Sequence, residues 1–196
     1  GATLAGNSVL IAGVAGLLAG AISMALGEWL SVQSSRELYT HQIETEKEEI
    51  TTAPEEEAEE LALIYEARGL SPETARALAA QIISRPESAI DTLAREELGI
   101  DPSELGGSAW EAAITSFVLF AMGAIIPVAP FIFTSGMPAV YISIALSALG
   151  LFGLGAAITL FTGRTVLYSG FRMVVFGLIA AAVTFGIGRL IGISIA

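Results

Sequence analysis

The fold is decided by residues 4–26, which read LAGNSVLIAGVAGLLAGAISMAL and contain no charged side chain. A helix rises about 1.5 Å per residue, so this stretch is about as long as the hydrocarbon core of a bilayer is thick. Three more stretches with few or no charges follow later in the chain, at residues 112–133, 139–161 and 168–195. The sequence therefore predicts four membrane-spanning helices.

The charged residues are confined to one part of the chain. Of the 29 charged side chains, 26 lie between Glu28 and Glu111, and the other three are Arg164, Arg172 and Arg189. A soluble domain spreads its charges over its whole surface. The segregation of charge instead indicates membrane helices that carry an acidic, water-exposed insert.

The insert is predicted to be helical throughout. Residues 31–49 contain no Gly or Pro and follow the first membrane helix without a break, so we expect one long helix to run through both. Three shorter helices follow, each with a proline in its first turn, at Pro54, Pro72 and Pro86. Apolar residues at helical spacing predict a small core, made of Leu61, Ile64, Tyr65, Leu78, Ile82, Ile90 and Leu93.

These features predict an all-α fold, a polytopic bundle of membrane helices interrupted by an acidic helical bundle. We assign residues 1–30 to a membrane helix, residues 31–110 to the insert and residues 111–196 to three further membrane helices. Basic residues are enriched on the cytoplasmic side of membrane proteins. The basic residues nearest the membrane fall on the side of the insert, which we therefore expect to be cytoplasmic: Arg36, Lys47, Arg95, Arg164 and Arg172.

Composition excludes or disfavours several classes of protein. The sequence has no cysteine, which excludes a disulfide framework, a thiolate metal site and a thiol nucleophile. Its single histidine, His41, argues against a His-based catalytic triad and against a multi-histidine zinc site. The net charge of −11 disfavours nucleic acid as a partner, because phosphates are bound by Lys and Arg. Carboxylate oxygens instead favour hard cations.

Glutamates at helical spacing are the candidate metal ligands of the insert. The pairs of interest are Glu46 with Glu49, Glu57 with Glu60, and Glu96 with Glu97. Side chains three residues apart share one helix face, so two such pairs on packed helices and one acid from a third helix make an oxygen pocket. The alternative is a solvated helix face without a ligand. Dense like charges repel in a folded bundle unless cations or protons neutralise them, which favours a cation site.

Two residues of the first membrane helix are candidates for an ion path. Met24 offers a thioether, a soft ligand that suits a borderline cation such as Fe²⁺. Glu28 places a carboxylate at the membrane edge, where charges often mark a pathway or an ion pair. The alternatives are that Met24 fills a packing gap and that Glu28 reaches interfacial water. For His41, an exposed position on a helix face is favoured over a His–carboxylate metal site.

The run Ser23-Met24-Ala25-Leu26-Gly27-Glu28, with its flanks, closely resembles the second membrane helix of the vacuolar iron transporter family. Further matches lie at residues 95–99, 124–127, 162–164 and 186–192, so the resemblance covers essentially the whole chain. The family includes iron/manganese carriers and nodulin-21-like proteins. The resemblance implies five membrane helices in the full chain, a homodimer, and exchange of cytosolic Fe²⁺ or Mn²⁺ for protons.

The resemblance also implies roles for single residues. Carried over by position, the metal-binding glutamates of the family fall on Glu46, Glu49, Glu57, Glu60 and Glu97. The thioether of its translocation path falls on Met24, whereas two further methionines of its metal site fall on Leu93 and Ala94. The first membrane helix of the family would precede Gly1. The form with an acidic helical insert resembles prokaryotic members of the family, so we expect a plasma-membrane protein of that type. Because the first helix is missing here, we expect a fragment that does not transport by itself.

The resemblance thus implies a proton-coupled antiporter of divalent cations, and we expect no catalytic residue and no organic cofactor. Its substrate is Fe²⁺, Mn²⁺ or a similar transition metal, and its partners are protons, the lipid bilayer and a second copy of the chain. Two alternatives remain open. One is a membrane-anchored ferroxidase-like enzyme, against which the lack of a Glu-x-x-His pair counts. The other is a scaffold whose acidic insert recruits a basic protein.

Overall fold

A computed structural model describes residues 6–102 and 107–195, and the regular elements among them are helices without any strand. The helices are α1 (Gly6–Thr52), α2 (Pro54–Ala67), α3 (Pro72–Ile83), α4 (Pro86–Glu96), α5 (Ala109–Val128), α6 (Pro130–Phe133), α7 (Gly136–Thr162) and α8 (Val166–Ile195). The prediction of an all-α fold is confirmed. The chain divides into two compact units, a membrane unit (Gly1–Leu26 and Ile114–Ala196) and an insert unit (Gly27–Ala113).

Helix α1 is one uninterrupted helix of 47 residues. At the usual helical rise it is roughly 70 Å long, more than twice the hydrocarbon thickness of a bilayer. Its apolar first half is long enough to span a membrane, and its charged second half, from Glu28 onward, lies outside the spanning part. The predicted continuous helix through residues 4–49 is confirmed for its described part, which begins at Gly6.

Four helices are long and apolar enough to cross a membrane, as predicted. Within the described residues they occupy Ser8–Thr52, Ala109–Val128, Gly136–Thr162 and Val166–Ile191. The second of them is interrupted by proline, because Pro127 inside α5 and Pro130 at the start of α6 each remove a backbone donor. The Ser143 hydroxyl donates a hydrogen bond of 2.8 Å to the carbonyl oxygen of Pro127. This bond satisfies a carbonyl group at the break.

Helices α7 and α8 pack closely because glycines remove side chains from their contact. A Cβ atom on Gly155 would lie 2.5 Å from the carbonyl oxygen of Ser169, and one on Gly177 would lie 2.2 Å from Cδ1 of Leu151. Atoms do not approach so closely in packed proteins. Gly155 faces backbone atoms and has room for hydrogen only, whereas at Gly177 the flexible Leu151 side chain would have to move.

Half of the buried residues in the main core of the insert unit are alanines. Leu61 and Leu93 are fully buried, as predicted, and Tyr65, Ile82 and Ile90 pack against this core at its edge. Ile64 and Leu78 are only half-buried. The rest of the core was not predicted and consists of Ile50, Ala62, Ala75, Ala79, Ile83 and Ala89. Small side chains let α2, α3 and α4 pack against one another.

The three short helices begin at the prolines that the sequence indicated. Pro54, Pro72 and Pro86 are the first residues of α2, α3 and α4. At α3 the Ser71 hydroxyl also accepts a hydrogen bond of 3.3 Å from the amide of Thr74, a side-chain cap of the helix start. These starts fix which residues of each helix face the core.

Candidate metal site in the acidic insert

Three glutamates from three helices come together in the insert unit. Glu46 lies on α1, Glu57 in the first turns of α2, and Glu97 caps the C-terminal end of α4. One carboxylate oxygen of each residue lies within 4.8 Å of those of the other two. We call this group the glutamate triad.

The helical repeat places these acids on the same faces as the core. Glu46 follows Ile43 by three residues and precedes Ile50 by four, and both isoleucines are buried. Glu57 likewise lies four residues before Leu61, and Glu97 lies four residues after Leu93. Residues three or four apart share one helix face, so folding of the apolar core carries the three carboxylates toward one another.

Two members of the triad are buried without a hydrogen-bond partner. Glu46 and Glu57 are each only 5% exposed, whereas Glu97 is exposed. The Oε2 atoms of Glu46 and Glu57 are buried and accept no hydrogen bond. A buried, unpaired carboxylate costs several kcal/mol unless it is protonated or bound to a cation. The two buried carboxylates therefore favour the binding of protons or of a cation.

Burial and mutual repulsion raise the pKa values of all three glutamates. Loss of solvation, followed by the negative charges of Glu97 and Glu57, raises the pKa of Glu46 from 4.5 to about 7. Loss of solvation, followed by the charges of Glu60 and Glu97, raises the pKa of Glu57 to about 7 as well. The pKa of Glu97 is also raised, first by desolvation of its carboxylate and then by Glu60 and Glu49. The triad consequently holds protons near neutral pH.

The other two predicted ligands do not belong to the triad. Glu49 and Glu60 are exposed, and neither is among the residues whose carboxylate oxygens meet within 4.8 Å. Their charges nevertheless raise the pKa values of all three triad members. They add negative potential on the solvent side of the triad, where a cation would enter.

Three of the five arginines of the insert are paired with other acids. Arg68 pairs with Glu96, Arg76 with Glu59 at 3.2 Å, and Arg95 with Asp91 at 3.1 Å and Asp101 at 2.7 Å. Among the described residues, no ion pair involves Glu46, Glu49, Glu57, Glu60 or Glu97. Glu96 is thus paired with Arg68, whereas its neighbour Glu97 belongs to the triad. Sequence spacing did not distinguish the two residues.

The remaining candidates lie away from the triad. Leu93 and Ala94 are fully buried and offer no ligand atom. Met24, in the membrane-spanning part of α1, is 50% exposed, and Glu28 and His41 are also exposed. His41 is not one of the residues that group with other potential ligands in the described chain.

Sequence reasoning missed the burial of Glu46 and Glu57. The signal was present in the spacing of Ile43, Glu46 and Ile50, since an acid inside an apolar i, i+3, i+7 pattern lies on the core face. For Glu57 the signal is weaker, because four of its neighbours in α2 are also glutamates, namely Glu55, Glu56, Glu59 and Glu60.

Comparison with known proteins gives a consistent set of relatives. A sequence profile described as "VIT family" matches residues 1–189. The chain is 33% identical over 192 residues to "Vacuolar iron transporter 1" of Arabidopsis thaliana, covering 97% of this chain and 76% of that protein. It is 36% identical over 190 residues to "Vacuolar iron transporter" of Acanthamoeba castellanii, covering 94% and 70%. It is 31% identical to the protein of that name from Centaurea cyanus, covering 96% and 77%.

Proposed function

The chain belongs to the VIT family, and on that premise we propose that its acidic insert captures Fe²⁺ and supplies it for exchange against protons across a membrane. Family membership assigns to the chain the transport of metal ions, with iron as a substrate, by an integral multi-pass membrane protein. It excludes the ferroxidase-like enzyme that composition had left open. The capture step and the coupling to protons are our proposals.

The glutamate triad is the observation that carries the capture step. Three carboxylate oxygens within 4.8 Å, two of them on nearly buried residues, form a set of hard ligands of the kind that binds divalent cations. Arg68, Arg76 and Arg95 pair with acids outside the triad. A divalent cation would remove the repulsion and the desolvation cost of the triad together. A solvated acidic face would not bury Glu46 and Glu57.

Proton exchange follows from the same carboxylates. Because the pKa values of Glu46 and Glu57 are about 7, the empty triad is partly protonated at neutral pH. Carboxylate ligands bind a metal in their ionised form, so capture of the cation releases protons, and protonation favours its release. The triad thereby couples metal occupancy to proton concentration on the insert side, which we place in the cytoplasm.

The path across the membrane is a separate part of the proposal. We assign Met24 and Glu28 to it, with a second copy of the chain completing the path, and we include Mn²⁺ among the substrates. The relatives are named for the vacuole, and their names do not support the prokaryotic plasma membrane predicted from the sequence. We therefore assign the protein to a membrane without specifying the compartment.

Calorimetric titration with Fe²⁺ under anaerobic conditions tests the capture step. The complete protein in detergent is compared with the double variants Glu46→Gln/Glu57→Gln and Glu44→Gln/Glu55→Gln. Both pairs remove one acid from α1 and one from α2, but Glu44 and Glu55 are exposed. Loss of two charged ligands should weaken binding on the order of 100-fold. At high ionic strength, where exposed charges are screened, the exposed pair should leave it nearly unchanged. Equal affinities of the two variants would refute the assignment.

A further inference from the structure

The membrane unit carries positive charge without acidic residues of its own. Residues 112–196 contain three arginines and no Asp or Glu, and residues 1–27 contain no charged side chain. Arg164 lies in the turn between α7 and α8, and Arg172 lies near the start of α8. Neither forms an ion pair within residues 6–102 and 107–195. An arginine at a membrane surface without a protein counter-charge attracts anionic groups of the lipids around it.

The two arginines line two neighbouring surface depressions. The first, of about 370 Å³, is lined by Gly163, Arg164, Thr165 and Tyr168. The second, of about 410 Å³, is lined by Leu167, Tyr168, Phe171, Arg172, Val175 and Phe176. Tyr168 lines both, so the polar depression at the turn adjoins one that is apolar except for Arg172. We call the two depressions together the α8 groove.

The side chain of Arg172 is directed toward the N-terminal start of α8. Its Cζ atom lies 5.7 Å from the ring centre of Tyr168, one helical turn closer to the start of α8. Arg172 is six residues beyond Val166, hence about 9 Å along the helix axis. The guanidinium therefore reaches back toward the membrane surface, as arginines near helix ends do, and it stacks against an aromatic ring on the way.

We propose that the α8 groove binds an anionic phospholipid. The guanidinium groups of Arg164 and Arg172 bind its phosphate, and one acyl chain lies against Phe171, Val175 and Phe176. An anion with an attached hydrocarbon chain matches a groove whose cationic end continues into an apolar one, whereas free phosphate would leave the apolar part unfilled. The positive-inside bias places this turn at the cytoplasmic surface, and that leaflet is rich in anionic lipids. The inference does not depend on the proposed transport mechanism.

Native mass spectrometry of the complete, delipidated protein in detergent tests this site. Phosphatidylglycerol and phosphatidylcholine are offered at equal concentration, and the lipid retained per protein is counted. Wild type should retain phosphatidylglycerol preferentially. Arg164→Gln/Arg172→Gln should reduce its affinity about tenfold, as for the loss of charge-assisted hydrogen bonds. Arg189→Gln, near the other end of the same helix and also exposed, is the matched control and should bind like wild type.

Three results would overturn the proposal. They are equal retention of the two lipids by wild type, equal losses in the Arg189→Gln and double variants, and displacement of phosphatidylglycerol by an equal concentration of inorganic phosphate. The last result would indicate an anion site that does not recognise the lipid. Because Arg164 lies in an exposed turn rather than a helix, Arg164→Gln alone keeps the test valid if the double variant misfolds, and it too should lower retention.

Discussion

Glu46 lies where a hydrophobic residue would ordinarily stand. It belongs to the buried face of α1 between Ile43 and Ile50, and it faces Glu57 and Glu97 instead of an apolar partner. Burial of the Glu46 carboxylate costs free energy. The packing of the apolar residues on both sides of Glu46 offsets this cost and holds its side chain in place. At the scale of single residues, the site consists of acids that an apolar face forces together.

The raised acidities make the stability of the metal-free insert depend on pH. In the folded state Glu46 and Glu57 have pKa values of about 7, against 4.5 ordinarily, so the folded chain binds these protons more tightly than the unfolded chain. Their contribution to stability is therefore fully present below pH 4.5 and is lost as the pH rises through 7.

Thermal unfolding followed by tryptophan fluorescence measures this effect in the insert, because both tryptophans, Trp29 and Trp110, lie in that unit. Without metal, Tm should fall between pH 5 and pH 8. Glu46→Gln/Glu57→Gln should show a flatter dependence, since an amide does not titrate. The same slope in wild type and variant would show that other groups cause it.

Metal binding should also release protons at the triad. Calorimetric titration with Fe²⁺ in two buffers of different ionisation enthalpy gives the number of protons released. That number should approach two at pH 6, where Glu46 and Glu57 are mostly protonated, and should fall toward zero at pH 8.5. A release that does not change with pH would contradict the assignment of these two carboxylates as ligands.

At the scale of helices, the packing of α2 positions Glu57. Leu61, four residues further on, is completely buried, whereas Leu63 on the same helix is 54% exposed. Leu61→Ala should destabilise the insert by about 2–5 kcal/mol and weaken Fe²⁺ binding, because it leaves a cavity beside the triad. Leu63→Ala should change stability by less than about 0.5 kcal/mol. Urea unfolding monitored by tryptophan fluorescence compares the two, and similar losses would contradict the described core.

The contact of α7 with α8 gives a matched pair of glycine substitutions. A methyl group on Gly155 would lie 2.5 Å from the backbone oxygen of Ser169, whereas one on Gly153 would meet no atom within 4 Å. Gly155→Ala should therefore destabilise the membrane unit by about 1–3 kcal/mol. Gly153→Ala should be neutral or slightly stabilising, since alanine favours helix. Thermal unfolding in detergent, followed by circular dichroism, should give a lower Tm for Gly155→Ala than for Gly153→Ala.

The sequence allowed the helices to be predicted better than their packing. Long apolar stretches and the prolines at 54, 72 and 86 define the starts and lengths of helices by local chemistry alone. The alanines of the insert core did not stand out, because a methyl side chain is compatible with either a buried or an exposed helix face. Ala75 and Ala79 became visible as core residues only when α2 and α3 were placed side by side.

The sequence predicted a candidate site with acids from three helices, but not which of these acids lie together. Spacing put Glu46 with Glu49 and Glu57 with Glu60, as pairs along a helix, whereas the triad takes one acid from each of three helices. Which acid of each pair is buried depends on contacts between helices. Likewise, only the partner of Glu96, Arg68, distinguishes it from Glu97.

At the scale of the whole molecule, charge is divided between two units with different solvents. The acidic side chains all lie in the insert unit, while the membrane unit carries three arginines and no acid. A strongly negative surface raises the local concentration of cations around it, and the effect weakens with ionic strength. The division therefore suits a carrier that concentrates its ion before transport.

The rate of Fe²⁺ association should depend more strongly on ionic strength in wild type than in a variant with fewer exposed acids. Glu44→Gln/Glu55→Gln leaves the triad intact but lowers the surrounding negative potential. Its Fe²⁺ association rate should be lower than that of wild type at low ionic strength and should converge with it at high ionic strength. Stopped-flow measurement at two salt concentrations decides this, and a ratio of rates that is independent of salt would contradict it.

Uptake of Fe²⁺ by proteoliposomes that contain the complete protein and an internal pH dye tests the central claim most directly. For wild type we predict metal uptake accompanied by proton efflux. For Glu46→Gln/Glu57→Gln we predict reduced uptake at low Fe²⁺ concentration, with Glu44→Gln/Glu55→Gln close to wild type under high salt. Uptake by the triad variant that equals wild type at every Fe²⁺ concentration would contradict the claim that the buried glutamates capture the transported ion.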